Sequence, residues 1–278
     1  MAQDFDVATR RGRLRVRRFG ADAPLATICV PGLSSNSRVF DALGERLEAH
    51  GGGIVAVDLR GRGWSEITPP GTYGWEAHAS DLFDVAEALR IERFNIVGHS
   101  MGAYIAMRAA CIEPTRIARL VLIDGLGVPS QTALAAIRSG LVRLTGTFAS
   151  ADAYVAAVRD AGLAAPWNAY WDRHYRYDLI EDGASVRPRT NLAAVTEDAA
   201  YGAGQDVRAG WPRIIQNTLV VRAALPLGGP DGFVVTQADY RAFLDAHPQA
   251  RGVEIAANHF GVVLDPNTLE AIEAFLRT

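Results

Sequence analysis

The sequence predicts an α/β protein: a doubly wound, mostly parallel sheet with helices on both faces and an inserted helical segment. Three observations carry this. Short apolar runs closed by turn residues recur along the chain. Helical runs fall between them. One long stretch, between residues 123 and 218, breaks the rhythm and carries helical patterning without a clear strand.

The elements follow in order. Residues 13–19 alternate charged and apolar side chains, as a half-buried antiparallel strand does. Residues 26–30 form an apolar run stopped by Pro31 and Gly32, and residues 54–57 a second that ends at Asp58. Residues 94–97 end at Gly98, residues 119–123 end at Asp124, and runs at 218–221 and 253–256 complete the set. Short apolar runs between turn residues suit strands buried on both faces of a parallel sheet. Helical spacing places Val39, Phe40, Leu43 and Leu47 on one face of residues 38–50. Residues 77–90 do the same with Leu82, Val85, Ala86 and Leu89, and residues 268–276 with Leu269, Ile272 and Phe275. Residues 101–112 are small and apolar almost all round, as in a buried helix. Strand–helix alternation implies right-handed crossovers.

The stretch after residue 123 is too long for a structureless loop in a compact domain. Its patterning predicts helices at 130–144, 151–161 and 167–179. The chain then divides into a core of residues 1–125 and 213–278 and a helical lid of residues 126–212.

With 278 residues, 49% hydrophobic and 21% charged, the chain has the balance of a soluble globular protein and builds its core without disulfides or metals. A formal net charge of -3 disfavours nucleic acid and acidic membrane as partners. Residues 1–20 lack the apolar stretch of a secretory leader and no run approaches a membrane span, so the cytoplasm is the expected location. There is no lysine; all 28 residues of the Lys+Arg count are arginine. That excludes a Schiff-base lysine, a P-loop lysine and a Ser-x-x-Lys dyad. Cys29 and Cys111, each among apolar neighbours, read as small buried hydrophobes.

The strongest chemical signal is Gly98-His99-Ser100-Met101-Gly102. It follows one apolar run and opens a helical one, the context of a nucleophile elbow. Glycines flank the serine where side chains would collide, and the Met101 N–H faces a developing oxyanion. A serine needs a base. Among six histidines, His259 lies just after the last strand run, where a loop overhangs the carboxyl ends of the strands. His99 points away from the hydroxyl. His50 closes a helix before three glycines, His78 begins a polar helix, His247 reads as surface before Pro248, and His174 sits in the inserted segment. The acid that orients the base is expected to be Asp231, in a turn-rich loop after the 218–221 run. Asp124, at the end of the preceding strand, is its rival, and Asp239 is weaker because it falls on a helix. A second oxyanion donor belongs to the loop after residues 26–30; Leu33 N–H is the first choice and Ser34 the second.

These pieces resemble the α/β-hydrolase superfamily, in its lid-bearing serine-hydrolase form. The matching stretches are Val30-Pro31-Gly32-Leu33, Asp58-Leu59-Arg60-Gly61-Arg62-Gly63-Trp64-Ser65, the elbow, Leu122-Ile123-Asp124-Gly125, Asp231 and His259-Phe260, in family order over nearly the whole chain. The resemblance implies a mostly parallel eight-stranded sheet and a cofactor-free acyl-enzyme mechanism. It also implies a structural role for residues 58–65. The chain departs from the family in carrying Pro31 where histidine is common, and in lacking charged residues across 223–229. A serine nucleophile disfavours the relatives that use aspartate, the dehalogenases and epoxide hydrolases.

The expected function is hydrolysis of a small or medium carboxylic ester. Lactone, carbon–carbon (diketone) and amide hydrolysis use the same triad, and a ligand-binding protein on a hydrolase fold is the non-enzymatic alternative. Trp167, Trp171 and His174 share a helical face in the inserted segment. They are candidate contacts for an apolar or aromatic small-molecule ester, or they dock the lid on the core. Arg138, Arg143, Arg173 and Arg176 read as a solvated surface, with a substrate carboxylate as the other use.

Overall fold

Apolar runs that bury both faces can be satisfied only inside one sheet with helices above and below it. The computed structural model, which describes residues 2–20 and 26–277, has that arrangement. The chain begins β1 (Gln3–Thr9), β2 (Gly12–Phe19), β3 (Thr27–Val30), α1 (Asp41–Ala49), β4 (Ile54–Val57), α2 (Trp75–Ala88), β5 (Phe94–His99), α3 (Met101–Ile112) and β6 (Ile117–Ile123). It continues through α4 (Gln131–Gly140), α5 (Ala151–Asp160), α6 (Ala169–Tyr177), β7 (Leu179–Asp182), β8 (Ser185–Pro188) and α7 (Leu192–Ala203). It closes with β9 (Asn217–Ala223), α8 (Gln237–Ala246), β10 (Ala250–Ile255) and α9 (Pro266–Arg277).

Eight strands form the main sheet in the order β1-β2-β4-β3-β5-β6-β9-β10. Only β1/β2 and β2/β4 pair antiparallel; the pairs from β4 to β10 are parallel. Alternation along each strand splits the core in two. Ile28 and Val30 of β3 face a layer that includes Leu82 of α2, Ile105 of α3 and Phe243 of α8. Cys29, between them, faces Leu43 of α1, Phe275 of α9, and Tyr154 and Trp171 of α5 and α6. Both cysteines are free and buried, as expected of small hydrophobes. Among the described residues no helix is long and apolar enough to cross a membrane.

Several sequence expectations are corrected. The alternating run at 13–19 has a partner not foreseen, β1, with Phe5 opposite Val16. The inserted segment is not purely helical, because β7 and β8 form a hairpin around Gly183 at φ +64°. With four residues per strand and exposed Glu181 and Asp182, the hairpin carries too little burial to mark the sequence. The helical run expected at 130–144 breaks at Gly140 into a 3₁₀ turn, Leu141–Thr145. The run at 167–179 starts later, because Asn168 caps α6 by accepting the Tyr170 and Trp171 N–H groups. His78 and His247 are buried. His78 Nε2 lies 2.9 Å from Asp198, and His247 is held between the carbonyls of Phe243 and Trp211.

The loop after β4 ties the inserted segment to the sheet. Arg62 and Asp198 of α7, neither exposed to solvent, meet at 2.7 Å. Tyr177 donates its hydroxyl to Asp58 at 2.8 Å, and the Trp64 indole donates to the Tyr177 carbonyl at 3.0 Å. Arg62 also donates to the Leu33 carbonyl at 2.9 Å, which fixes the loop that follows β3.

Candidate active site

Parallel strands deliver their carboxyl ends to one edge, and loops leaving that edge form the site. Ser100 occupies the turn between β5 and α3 with φ +55° and ψ -120°, a left-handed backbone that non-glycine residues rarely adopt. The turn closes because its neighbours are glycines. A Cβ on Gly98 would sit 2.2 Å from the Gly102 carbonyl oxygen, and one on Gly102 would sit 2.0 Å from that of Val30. The Ser100 N–H donates to the Ile123 carbonyl at 2.9 Å, locking the elbow to β6. Met101 begins α3, so its N–H lies in the first turn, where no helical acceptor exists.

His259 follows β10. Asn258 shapes this loop by accepting the Phe260 and Gly261 N–H groups at 3.1 and 2.8 Å, and it donates to the Leu163 carbonyl in the inserted segment. The imidazole is 4% exposed. Its Nε2 lies 2.9 Å from Ser100 Oγ, and its Nδ1 lies 2.8 Å from Asp124 Oδ2. An Nδ1–H donated to the carboxylate leaves Nε2 free to accept the serine proton.

The carboxylate beside His259 therefore belongs to Asp124 and not to Asp231, which corrects the first choice made from sequence. Asp124 caps β6, the neighbour of β5, and is 1% exposed with φ +43°. Its N–H donates to the Val221 carbonyl at 2.8 Å, and its Oδ1 accepts the Ala223 N–H at 3.0 Å. Gly125 lets the chain turn past the elbow, since a Cβ there would sit 2.4 Å from the Ser100 carbonyl oxygen. Asp231 is exposed and accepts the Thr132 hydroxyl of α4 at 3.1 Å on each oxygen. Its loop folds on itself, with Gly232 N–H donating to the Gly229 carbonyl and Leu227 N–H to that of Gly232. Asp239 lies in the first turn of α8, where its N–H donates to the hydroxyl of the capping Thr236, and it pairs with Arg208 at 2.7 Å.

A cavity of about 430 Å³ opens over Ser100 and His259. Ser100, His99 and His259 line it from the core, together with Gly32, Leu33 and Ser34. A Cβ on Gly32 would lie 3.2 Å from the Ser100 Cβ, so the Gly32-Leu33 backbone runs beside Ser100. The inserted segment supplies Val142, Arg143, Trp171, His174 and Tyr175. Of the three candidate contacts, Trp171 and His174 line the cavity and Trp167 does not. Trp167 precedes α6 and stacks on Tyr175 at 5.7 Å, so it shares no helical face with them. His99 was expected to point away from the serine hydroxyl; its Nε2–H donates to the His259 carbonyl at 2.9 Å. Burial, and then the proximity of His259, lower its pKa to about 3, so it is neutral.

Sequence reasoning underrated two residues here. His99 was set aside because it lies inside the elbow motif, yet as the last residue of β5, paired with Ile123, it lines the cavity. Arg143 was grouped with surface arginines, and only its place at the break between α4 and the 3₁₀ turn sets it apart.

A model of the alpha/beta hydrolase fold family matches residues 27–224. N-formylmaleamate deformylase of Pseudomonas putida is 40% identical over 99 residues, 36% of this chain and 37% of that protein. Lipase LipV of Mycobacterium tuberculosis is 32% identical over 111 residues, 40% of this chain and 41% of that protein. The chain thus spans about two fifths of the length of these curated relatives. Among solved structures, E-2-(acetamidomethylene)succinate hydrolase superposes with a TM-score of 0.86 at 24% identity, covering 100% of both chains.

Proposed function

The chain belongs to the α/β-hydrolase family, and from that premise we propose that it is a serine hydrolase that cleaves small or medium carboxylic esters through Ser100, His259 and Asp124. The observation that carries this reading is the buried chain of two contacts, 2.9 Å from Ser100 Oγ to His259 Nε2 and 2.8 Å from His259 Nδ1 to Asp124. Ser100 attacks the acyl carbon as His259 takes its proton. Asp124 holds the imidazole in the tautomer that can accept, and stabilises the imidazolium that forms. The Met101 and Leu33 N–H groups receive the oxyanion. His259 returns the proton to the leaving alcohol, then activates the water that releases the acid. The segment 126–212 acts as the cap that closes the acyl pocket, with Trp171 and His174 against the substrate.

An amide-type bond is the second reading. One relative is named a deformylase and another a lipase, and the same triad serves both chemistries.

Hydrolysis of a chain-length series of p-nitrophenyl esters, with a parallel series of anilides, tests the proposal. Ser100→Ala is expected to lower kcat on the cleaved series by a factor on the order of 10⁶. Full activity in that variant would overturn the reading.

A further inference from the structure

Arg143 differs from the fully buried Arg60 and Arg62, each of which is paired with a carboxylate. Arg60 meets Asp81 and Arg62 meets Asp198, each at 2.7 Å. Within the inserted segment, Arg173 meets Glu45 at 3.1 Å, Arg176 meets Asp152 and Asp172 at 2.7 Å, and Arg138 is exposed. Arg143 lines the cavity and meets only neutral groups. Its Nη1 donates to the Tyr154 hydroxyl at 3.0 Å, and its Nη2 to the Ser34 carbonyl and hydroxyl at 2.7 and 3.2 Å. Its guanidinium carbon stands 5.4 Å from the centre of the Tyr175 ring. Among the described residues no carboxylate lies within 4.0 Å of it. A guanidinium has five N–H donors, and three bonds leave donors over, the Nε–H among them. Burial opposes its charge, but Tyr154, Tyr175 and Asp178 hold it as a cation.

A second polar group stands on the same wall. His174 is 3% exposed, lines the cavity, and its Nδ1 has no partner. Burial, then the neighbouring Arg143 charge, lower its pKa to about 3, so it is a neutral imidazole able to donate one hydrogen bond. Arg143, His174 and Ser100 line one cavity. Gly32 lies against Ser100, and Ser34, which Arg143 grips, is two residues further on, at most about 7.6 Å between Cα atoms.

We propose that Arg143 and His174 form a carboxylate subsite in the cavity they share with Ser100, so that the preferred substrate carries a carboxylate besides the scissile carbonyl, as a half ester of a dicarboxylic acid does. The bond that is cut rests on the serine-hydrolase reading above; the anion subsite rests on the cavity wall alone. A guanidinium with donors to spare, facing a pocket and meeting no carboxylate of its own, is a ready partner for a substrate carboxylate.

The test compares monoethyl glutarate with diethyl glutarate, followed by proton release, in the wild type, Arg143→Gln, Arg143→Lys and Ser100→Ala. Glutarate binding is measured by calorimetry on the same proteins. The wild type is expected to favour the half ester by about tenfold or more in kcat/KM, the scale of a charge-assisted hydrogen bond. Arg143→Gln removes that preference, chiefly through KM, and Arg143→Lys restores part of it. Glutarate binds wild type and Ser100→Ala alike and loses about tenfold or more in Arg143→Gln. No preference and no glutarate binding in the wild type would overturn the subsite whether or not any variant folds. An equal loss on both esters in Arg143→Gln would also overturn it, leaving Arg143 as a clamp on the Ser34 loop. Glutarate binding that depends on Arg143, with neither ester cleaved, would keep the subsite and sink the ester-hydrolase reading. Cleavage of both esters without acid preference would do the reverse.

Discussion

Two loops leave neighbouring parallel strands at the same edge of the sheet, one after β6 and one after β9, and each carries an aspartate. They have opposite fates. Asp124 is pinned by the backbone of β9 and by the base: its N–H is bonded to Val221, one carboxylate oxygen to Ala223, and the other to His259. Asp231 stands at the surface with a single hydroxyl partner on α4. A carboxylate can orient a base only where its own position is fixed, and that fixing comes from the sheet and not from the loop's composition. The two aspartates differ less in chemistry than in how many backbone groups hold them.

This contrast can be pressed in several ways. Asp124→Asn is expected to have the largest effect, a fall in kcat on the order of 10⁴ with little change in fold, because the amide offers His259 the wrong tautomer. Steady-state kinetics with a circular-dichroism control would measure it. Asp198 is a carboxylate equally buried but set between Arg62 and His78, outside the cavity at Ser100. Asp198→Asn is expected to cost about 3 kcal/mol of stability, since it strands a buried arginine, and to spare the chemistry. Denaturant unfolding against activity per folded molecule separates the two. Burial works against the Asp198 charge, but His78 and Arg62 hold its pKa at about 2, so its contribution is present above the usual carboxylate range and lost as pH falls through about 2.

Asp178 has the reverse sign. Burial pushes its carboxyl up to about 6 despite the Thr190 N–H it accepts. Its contribution is full below the unfolded value near 4 and is lost as pH rises through about 6. Asp178→Asn is therefore expected to gain roughly 1–2 kcal/mol on wild type between pH 5 and pH 8, read from urea midpoints at the two values. The smallest effect belongs to Asp231→Asn, within about 0.5 kcal/mol in stability and about twofold in kcat/KM.

What could be read from the sequence follows the same line. The elbow was legible because its geometry demands glycine at residues 98 and 102, and that demand is written in residue types. The parallel strands were legible because burial on both faces leaves uninterrupted apolar runs. The acid was ambiguous because both candidates follow strands in turn-like surroundings, and hydrogen bonds to Ala223 and Val221 leave no mark in the residues that make them. A faint signal existed in Gly125, which is needed for passage past the Ser100 carbonyl and shows that the chain at residue 124 lies against the elbow. Trp167 was misplaced because a cap at Asn168 starts α6 two residues late.

The central claim is that Asp124, and not Asp231, holds His259. The most direct measurement is the proton NMR signal of the His259 Nδ1–H, compared in wild type, Asp124→Asn and Asp231→Asn. A far-downfield resonance present in wild type and Asp231→Asn but lost or shifted strongly upfield in Asp124→Asn is the predicted result. The same resonance surviving in Asp124→Asn and vanishing in Asp231→Asn would contradict it.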